Sequence, residues 1–248
     1  VADINSKMEK QLTFDGNDSL MNGYASWVYT EEILGRGSHY RAFWWSPDSR
    51  NIAFFRTDDS HVPVFTITNS AGQHGFAEKE RYPAPGDKNP GVKIGIVHLD
   101  DSHITWADFN EHDDQYFGMP YWRPDGSSLL VLWINRDQND LKVYEVNPGT
   151  GAKNIFYEEK QKTWIDLDDL ERITFLKDGS FVMFSDKTGW RHMYYYSRDG
   201  KLINPLTTGK FTVMDIVKLD EKNNTVYFQA RGRENTARID FYRISLNG

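Results

Sequence analysis

One hairpin pattern recurs four times along the chain, and this repeat restricts the fold more than any other feature. Each copy joins an aromatic or apolar strand to a second apolar strand through a short turn that contains Asp; the copies span 43–55, 121–131, 173–184 and, in degenerate form, 216–228. Asp and Gly favour turn positions and Pro fixes φ, so each copy predicts an antiparallel hairpin. Because amphipathic helix periodicity is hard to find, the sequence predicts an all-β fold.

The spacing of the repeat indicates the size of its unit. The turn residues Asp48, Asp125, Asp178 and Asp220 are separated by 77, 53 and 42 positions. Four strands with their turns need about 40–45 residues in a propeller blade. The last two steps fit one blade each, and the segment 69–90 is predicted to be an insertion in the first. We therefore expect about four blades of four antiparallel strands; a β-sandwich of the same length is the alternative.

Composition excludes several functions. The net charge is −7 and no run of Lys or Arg exceeds two residues, which argues against a nucleic-acid partner. The absence of Cys excludes a disulfide framework, a thiolate metal site and a Cys nucleophile. The sequence also lacks the serine-hydrolase nucleophile elbow, the zinc-binding His-Glu-x-x-His and the phosphate-binding loop, so no cofactor is predicted.

Two groups of polar residues have alternative interpretations. His98, His103 and His112 lie in an acidic stretch that could hold a metal, but their irregular spacing also suits a solvated loop. The acidic segment 166–171 lacks the Gly and the spacing of a calcium loop, and we interpret it as the beginning of a blade. No metal ligand is assigned.

One segment departs from the strand pattern. Glu31 and Glu32 are adjacent carboxylates between apolar residues. In a strand they would point to opposite faces, whereas on a helical turn, with Ser26 as the predicted N-cap, they lie about 100° apart and can converge. Such a pair needs a cation, and an ammonium group offers three donors. The alternative is a solvated acidic turn with Arg36 or Arg41 as the counter-ion.

At this segment the sequence resembles the dipeptidyl peptidase IV family of prolyl-oligopeptidase-type serine peptidases. The family motif Asp-Trp-Val-Tyr-Glu-Glu-Glu stands here as Ser26-Trp27-Val28-Tyr29-Thr30-Glu31-Glu32. The hairpin 44–48 and the segments 189–194 and 242–246 resemble the family as well, so the resemblance keeps its order over nearly the whole chain. The departures at Ser26 and Thr30 do not affect the last two glutamates.

The resemblance implies a function. Family members have an eight-bladed propeller followed by an α/β-hydrolase domain with a Ser-Asp-His triad, and they release X-Pro or X-Ala dipeptides from peptide N-termini. The last two glutamates of the motif bind the substrate's free α-amine, which assigns this role to Glu31 and Glu32. No residue here is assigned to catalysis, because the hydrolase domain is absent from the sequence, and this portion alone should be inactive.

The resemblance also implies a domain organisation. The chain corresponds to the C-terminal half of a propeller within a longer protein: 1–20 end a preceding blade, 21–42 carry the amine-binding motif and 43–248 form blades. Because 33–41 hold a few more residues than some family members, no contacts are assigned there.

Partners and location follow from the resemblance too. The expected partners are a peptide with a free N-terminus, the protein's own hydrolase domain and a second copy in a homodimer, at an extracytoplasmic site. A non-enzymatic propeller that binds a protein or a glycan is the rival interpretation.

Overall fold

The chain consists almost entirely of antiparallel strands arranged in four successive sheets. The computed structural model describes residues 1–165 and 173–247. All four predicted hairpins are present as antiparallel strand pairs. The acidic segment 166–171, interpreted above as the beginning of a blade, lies outside the described residues. The expectation of an all-β fold built from propeller blades is confirmed.

The first sheet carries a protruding two-stranded arm. In chain order the sheet and its arm comprise β1 (Leu20–Asn22), β2 (Phe43–Trp45), β3 (Asn51–Asp58), β4 (Val64–Asn69), β5 (Phe76–Arg81), β6 (Gly91–His98) and β7 (Ile104–Trp106). Strands β1 and β2 share one edge of β3, while β6 and β7 follow on the other side. Strands β4 and β5 pair only with each other and form the arm. The arm begins at Val64, ahead of the insertion predicted at 69–90.

The other three sheets repeat this order with fewer additions. The second contains β8 (Gln115–Phe117), β9 (Tyr121–Trp122), β10 (Leu129–Asn135), β11 (Asp140–Val146) and β12 (Lys153–Lys160). The third contains β13 (Ile173–Phe175), β14 (Phe181–Ser185), β15 (His192–Tyr196) and β16 (Leu202–Pro205). The fourth contains β17 (Thr212–Asp220), β18 (Thr225–Arg231) and β19 (Ile239–Ser245). Each is a meander of neighbouring strands, as in a propeller blade.

Helical structure in the described residues is limited to three short turns. They are a π-helical turn at Tyr29–Ile33, directly preceded by the α-helical residues 27–28, and 3₁₀ turns at Arg36–Ser38 and Glu221–Asn223. Within the described ranges, no helix has the length and apolar character needed to cross a membrane.

The core lies between the sheets because strand side chains alternate between two faces. In β10, Leu129 and Val131 pack toward the first sheet, against residues such as Phe55. The intervening Leu130 and Leu132 pack toward the third sheet. A separate cluster joins the third and fourth sheets; it includes Val182, Phe184, Met193, Val213, Val226 and Phe228. The sheets therefore stack face to face in chain order.

The aromatic runs of the sequence belong mainly to this packing. The Trp44 ring lies 5.0 Å from that of Phe55. Tyr194 and Tyr196 are buried between the second and third sheets. Trp45, by contrast, is 48% exposed. Packing between sheets, rather than a carbohydrate platform, accounts for most of these rings.

The residues ahead of Leu20 join no sheet of the described chain. Lys10 Nζ donates a hydrogen bond of 3.2 Å to the carbonyl of Leu99, and Leu12 packs on the outer face of the first sheet. The assignment of 1–20 to a preceding blade stays a prediction. Because β1 pairs with β3, Leu20–Asn22 belong to the first sheet.

Replacing Phe181 by Ala should destabilise the interface between the second and third sheets. Phe181 is fully buried, and its ring stacks on Tyr196 at 5.1 Å. The cavity should lower the free energy of unfolding by about 3–5 kcal/mol, measured by urea denaturation. Phe14→Ala, at a 79% exposed position, is the control and should cost far less. Equal losses for the two variants would contradict the described packing.

Candidate functional site

The two glutamates lie on an insert in an edge strand of the first sheet. The Gly23 N–H donates to the Phe55 carbonyl at 2.8 Å, and the Phe55 N–H donates to the Ala42 carbonyl at 2.9 Å. The Ala42 N–H donates to the Gly23 carbonyl at 3.0 Å. The chain therefore leaves the sheet after Gly23 and returns at Ala42, and residues 24–41 form the insert.

The second sheet contains the same interruption in a shorter form. There β8 and β9 share an edge of β10, and only residues 118–120 separate them. The Gly118 N–H donates to the Leu132 carbonyl at 3.0 Å, as Gly23 does to Phe55 in the first sheet. The insert is thus a longer form of the edge-strand interruption that the second sheet also contains.

Buried side chains anchor the insert to the space between the first two sheets. Tyr29, Ile33 and Leu34 are at most 5% exposed. The Tyr29 hydroxyl oxygen accepts a hydrogen bond of 3.2 Å from the backbone N–H of Phe117 on β8. Burial raises the pKa of the Tyr29 hydroxyl well above its ordinary value, so the group stays neutral. The turn that carries the glutamates is consequently fixed to the second sheet as well as to the first.

The helical conformation predicted for the glutamate pair is present, as one π-helical turn. This acidic turn spans Tyr29–Ile33, and its last hydrogen bond runs from the Leu34 N–H to the Tyr29 carbonyl at 2.7 Å. Ser26 stands at the start of the helical stretch, as predicted, because its carbonyl accepts a hydrogen bond of 3.0 Å from the Thr30 N–H, but its side chain does not cap the turn. No side chain caps it, and the buried Ser26 hydroxyl has no hydrogen-bond partner among the described residues.

The two carboxylates have different surroundings. The Glu31 side chain is 21% exposed and forms an ion pair with the guanidinium of Arg36. Glu32 is exposed and forms no ion pair within the described residues. Only Glu32 lines a cleft of about 210 Å³; the other lining residues are Trp27, Val28, Tyr82, Pro83, Ala84, Pro85, Asn89 and Arg136. The structure brings both glutamates onto one turn but places them in two environments.

The cleft contains residues that the sequence pattern did not indicate as neighbours of Glu32. Tyr82 follows the arm, and its ring meets that of Trp27 at 4.5 Å, nearly perpendicular. Arg136 comes from the end of β10, where its Nη1 lies 3.4 Å from Asp114 Oδ1. Both are distant from Glu32 in sequence, so no local signal could have identified them.

A second cavity, of about 380 Å³, lies on the other side of Trp27, and Ser26, Asp59 and Arg81 are among its lining residues. Burial raises the pKa of Asp59 to about 6, although Arg81 lowers it. The Arg81 Nη1 donates to the carbonyls of Asp59, Ser60 and Val62 at 3.0–3.2 Å. This contact ties the base of the arm to the loop after β3, beside the insert.

The structure does not gather the three candidate metal-binding histidines. His98 and His103 stack with ring centroids 6.1 Å apart, and His98 Nε2 lies 3.1 Å from the Thr105 hydroxyl. His112 instead lines a polar cavity with Arg56. Across the described ranges, no group of three or more His, Asp or Glu side chains is arranged to hold a metal ion.

These features define a segment of a β-propeller in which an acidic helical turn interrupts an edge strand. The chain belongs to the family described as the dipeptidyl peptidase IV N-terminal region, whose model matches residues 1–248. It is 31% identical over 258 residues to dipeptidyl peptidase 4 of Arthroderma otae, and 30% identical over 258 residues to that of Trichophyton tonsurans. Each comparison covers 98% of this chain and 32% of the relative.

A solved structure agrees with this assignment. The crystal structure of Porphyromonas gingivalis dipeptidyl peptidase 4 matches with a TM-score of 0.90 and 28% sequence identity. The match covers 98% of this chain and 34% of that chain. The present chain therefore spans about a third of the length of its relatives.

Replacing Tyr29 by Phe should weaken the attachment of the acidic turn to the second sheet. The variant keeps the ring but leaves the buried N–H of Phe117 without an acceptor, which costs about 1–3 kcal/mol of the free energy of unfolding. Tyr24→Phe, at a 49% exposed position of the same insert, is the matched control and should have little effect in the same urea titration. If both variants unfold like the wild type, the hydrogen bond between Tyr29 and Phe117 does not anchor the turn.

Proposed function

We propose that the full-length protein is a serine exopeptidase that removes X-Pro or X-Ala dipeptides from peptide N-termini, and that Glu31 and Glu32 hold the substrate's α-amine. The observation that carries this proposal is the acidic turn, which holds two adjacent carboxylates on one anchored insert, with Glu32 beside a cleft. Membership of the dipeptidyl peptidase IV family supports it.

The chemistry of the turn suits an ammonium group. Ionised carboxylates only accept hydrogen bonds, and a protonated amine has three to donate. Such charge-assisted contacts are stronger than neutral ones and depend on the cationic form of the ligand. Glu32 is available for the first contact because it has no ion-pair partner within the described residues. Aromatic and proline side chains beside it offer an apolar wall for the first residue of a peptide.

In this proposal the acidic turn positions the substrate and takes no part in breaking the peptide bond. Holding the N-terminus at a fixed distance from a nucleophile places the second peptide bond for attack and excludes peptides without a free amine. The nucleophile would be the serine of the protein's own α/β-hydrolase domain. The propeller would be the C-terminal half of an eight-bladed ring, and the protein would act at an extracytoplasmic site.

Replacing either glutamate by Gln in the full-length protein should reduce kcat/KM for a Gly-Pro chromogenic substrate. A lost charge-assisted contact of about 1.5–3 kcal/mol corresponds to a reduction of about 10–150-fold. Glu234→Gln, at an exposed position near the fourth sheet, is the control and should retain the wild-type value. An N-acetylated substrate should be cleaved poorly by all variants.

Unchanged kinetics in both glutamate variants would show that the acidic turn does not hold the amine. Absence of cleavage of the free-amine substrate by the wild-type protein would favour the rival interpretation, a non-enzymatic propeller that binds a protein or a glycan.

We also propose that the protein forms a homodimer through the arm. Both edges of this two-stranded ribbon are unpaired within the described residues, and open edges favour pairing with another chain. Phe65, Ile67 and Phe76 share one face of the arm and are 45–58% exposed; Glu78 and Glu80, opposite Ile67 and Phe65, lie on the same face. Covering such a face against a second copy would remove apolar surface from water.

Introducing a charge on that face should separate the dimer. Ile67→Glu would add a third carboxylate to a face that already carries Glu78 and Glu80, and the added repulsion between the two copies should give half the wild-type mass by light scattering. Thr66→Glu, on the opposite face of the same strand, is the matched control and should leave the mass unchanged. A dimeric Ile67→Glu variant, or a monomeric wild type, would contradict this assignment.

A further inference from the structure

The acidic turn already holds a cation. The guanidinium of Arg36 pairs with Glu31, while Glu32, the next residue, has no ion-pair partner within the described residues. The Glu31 side chain is only 21% exposed, and that of Arg36 is 78% exposed. Arg36 therefore reaches Glu31 from the solvent side, the side from which a substrate amine would also come.

The position of Arg36 is built into the insert. The chain folds back after the acidic turn, and the Thr30 side chain links the turn to the returning part of the insert. Thr30 Oγ1 lies 3.0 Å from the Ser38 hydroxyl and accepts a hydrogen bond of 3.1 Å from the Tyr40 N–H. Gly35 makes the reversal with φ of 75°, a conformation that favours glycine. Together these contacts hold the short 3₁₀ turn Arg36–Ser38 against the glutamates.

We propose that Arg36 competes with the substrate's α-amine for Glu31 and so sets the affinity of the amine site; this inference rests on the proposed function. Binding is then an exchange of cations at Glu31, in which the ammonium group replaces the guanidinium. The exchange is cheap because Arg36 is mostly exposed and returns to water when it is displaced. Glu32 makes its contact without competition, so the two glutamates contribute unequally to binding.

The direction of the effect distinguishes competition from support. If Arg36 only held Glu31 in place, its removal would weaken amine binding. If it occupies the place of the amine, its removal strengthens binding. An exposed ion pair corresponds to about a two- to fivefold change in a binding constant, and this is the size of effect expected.

The test measures KM for Gly-Pro-p-nitroanilide and the inhibition constant of the dipeptide Ala-Pro in the full-length protein. For Arg36→Gln we expect both constants to fall by about two- to fivefold relative to the wild type. Arg36→Lys keeps a cation and should retain higher values than Arg36→Gln. Arg41→Gln is the matched control, because Arg41 is an exposed arginine of the same insert without an ion pair in the described chain.

A double variant separates this inference from the proposed function. In a Glu31→Gln background, Arg36→Gln should no longer lower either constant, because the carboxylate for which the two cations compete is gone. N-acetyl-Ala-Pro, which lacks the amine charge, should be equally weak against the wild type and Arg36→Gln.

Two results would overturn the competition. Either Arg36→Gln behaves like Arg41→Gln, or it raises both constants, in each case while Glu31→Gln still weakens binding. If Glu31→Gln and Glu32→Gln leave both constants unchanged, the proposed function fails instead.

Discussion

The backbone of Phe55 holds together the strand from which the candidate site emerges. Its carbonyl accepts from Gly23 and its N–H donates to Ala42, so both ends of the insert are fixed at one point of β3. The Phe55 side chain packs in the core between the first two sheets, in contact with the rings of Tyr29 and Phe117. One residue thus couples the exit and return of the insert to the core between two sheets. The position of the acidic turn relative to the two sheets depends on this arrangement.

The two carboxylates of the acidic turn differ in how their charges are balanced. Two adjacent carboxylates repel each other and require a cation or a proton. Glu31 receives the guanidinium of Arg36, whereas Glu32 remains open beside the cleft. The resident ion pair relieves the repulsion in the unliganded state and leaves one carboxylate ready for a ligand. Under the proposed function, the solvated acidic turn with its arginine counter-ion and the amine-binding turn would be two states of the same group of residues.

The sequence alone predicts what is local. Alternating apolar residues and Pro, Asp and Gly at turns predict the hairpins, and two adjacent carboxylates predict a helical turn. The environment of Glu32 could not be predicted, because Tyr82 and Arg136 come from distant segments that only the packing of two sheets brings together. Ser26 was placed correctly at the start of the helical stretch, where its carbonyl accepts the hydrogen bond from Thr30, but its hydroxyl makes no capping bond.

The departure from the family motif at Thr30 and the ion pair of Arg36 are structurally linked. The family pattern has a third glutamate where this chain has Thr30, whose side chain is 5% exposed. An ionised carboxylate buried there would need a partner, whereas the hydroxyl bonds to Ser38 and Tyr40 and so brings Arg36 to Glu31. Two carboxylates and one guanidinium carry a net charge of −1, whereas a third glutamate at position 30 would make it −2. In the proposed reaction the substrate and the released dipeptide carry the same amine, so a strong anchor would hold the product as firmly as the substrate. Under the proposed function, a turn of lower net charge would favour release of the dipeptide, and the weaker binding caused by Arg36 would then speed turnover.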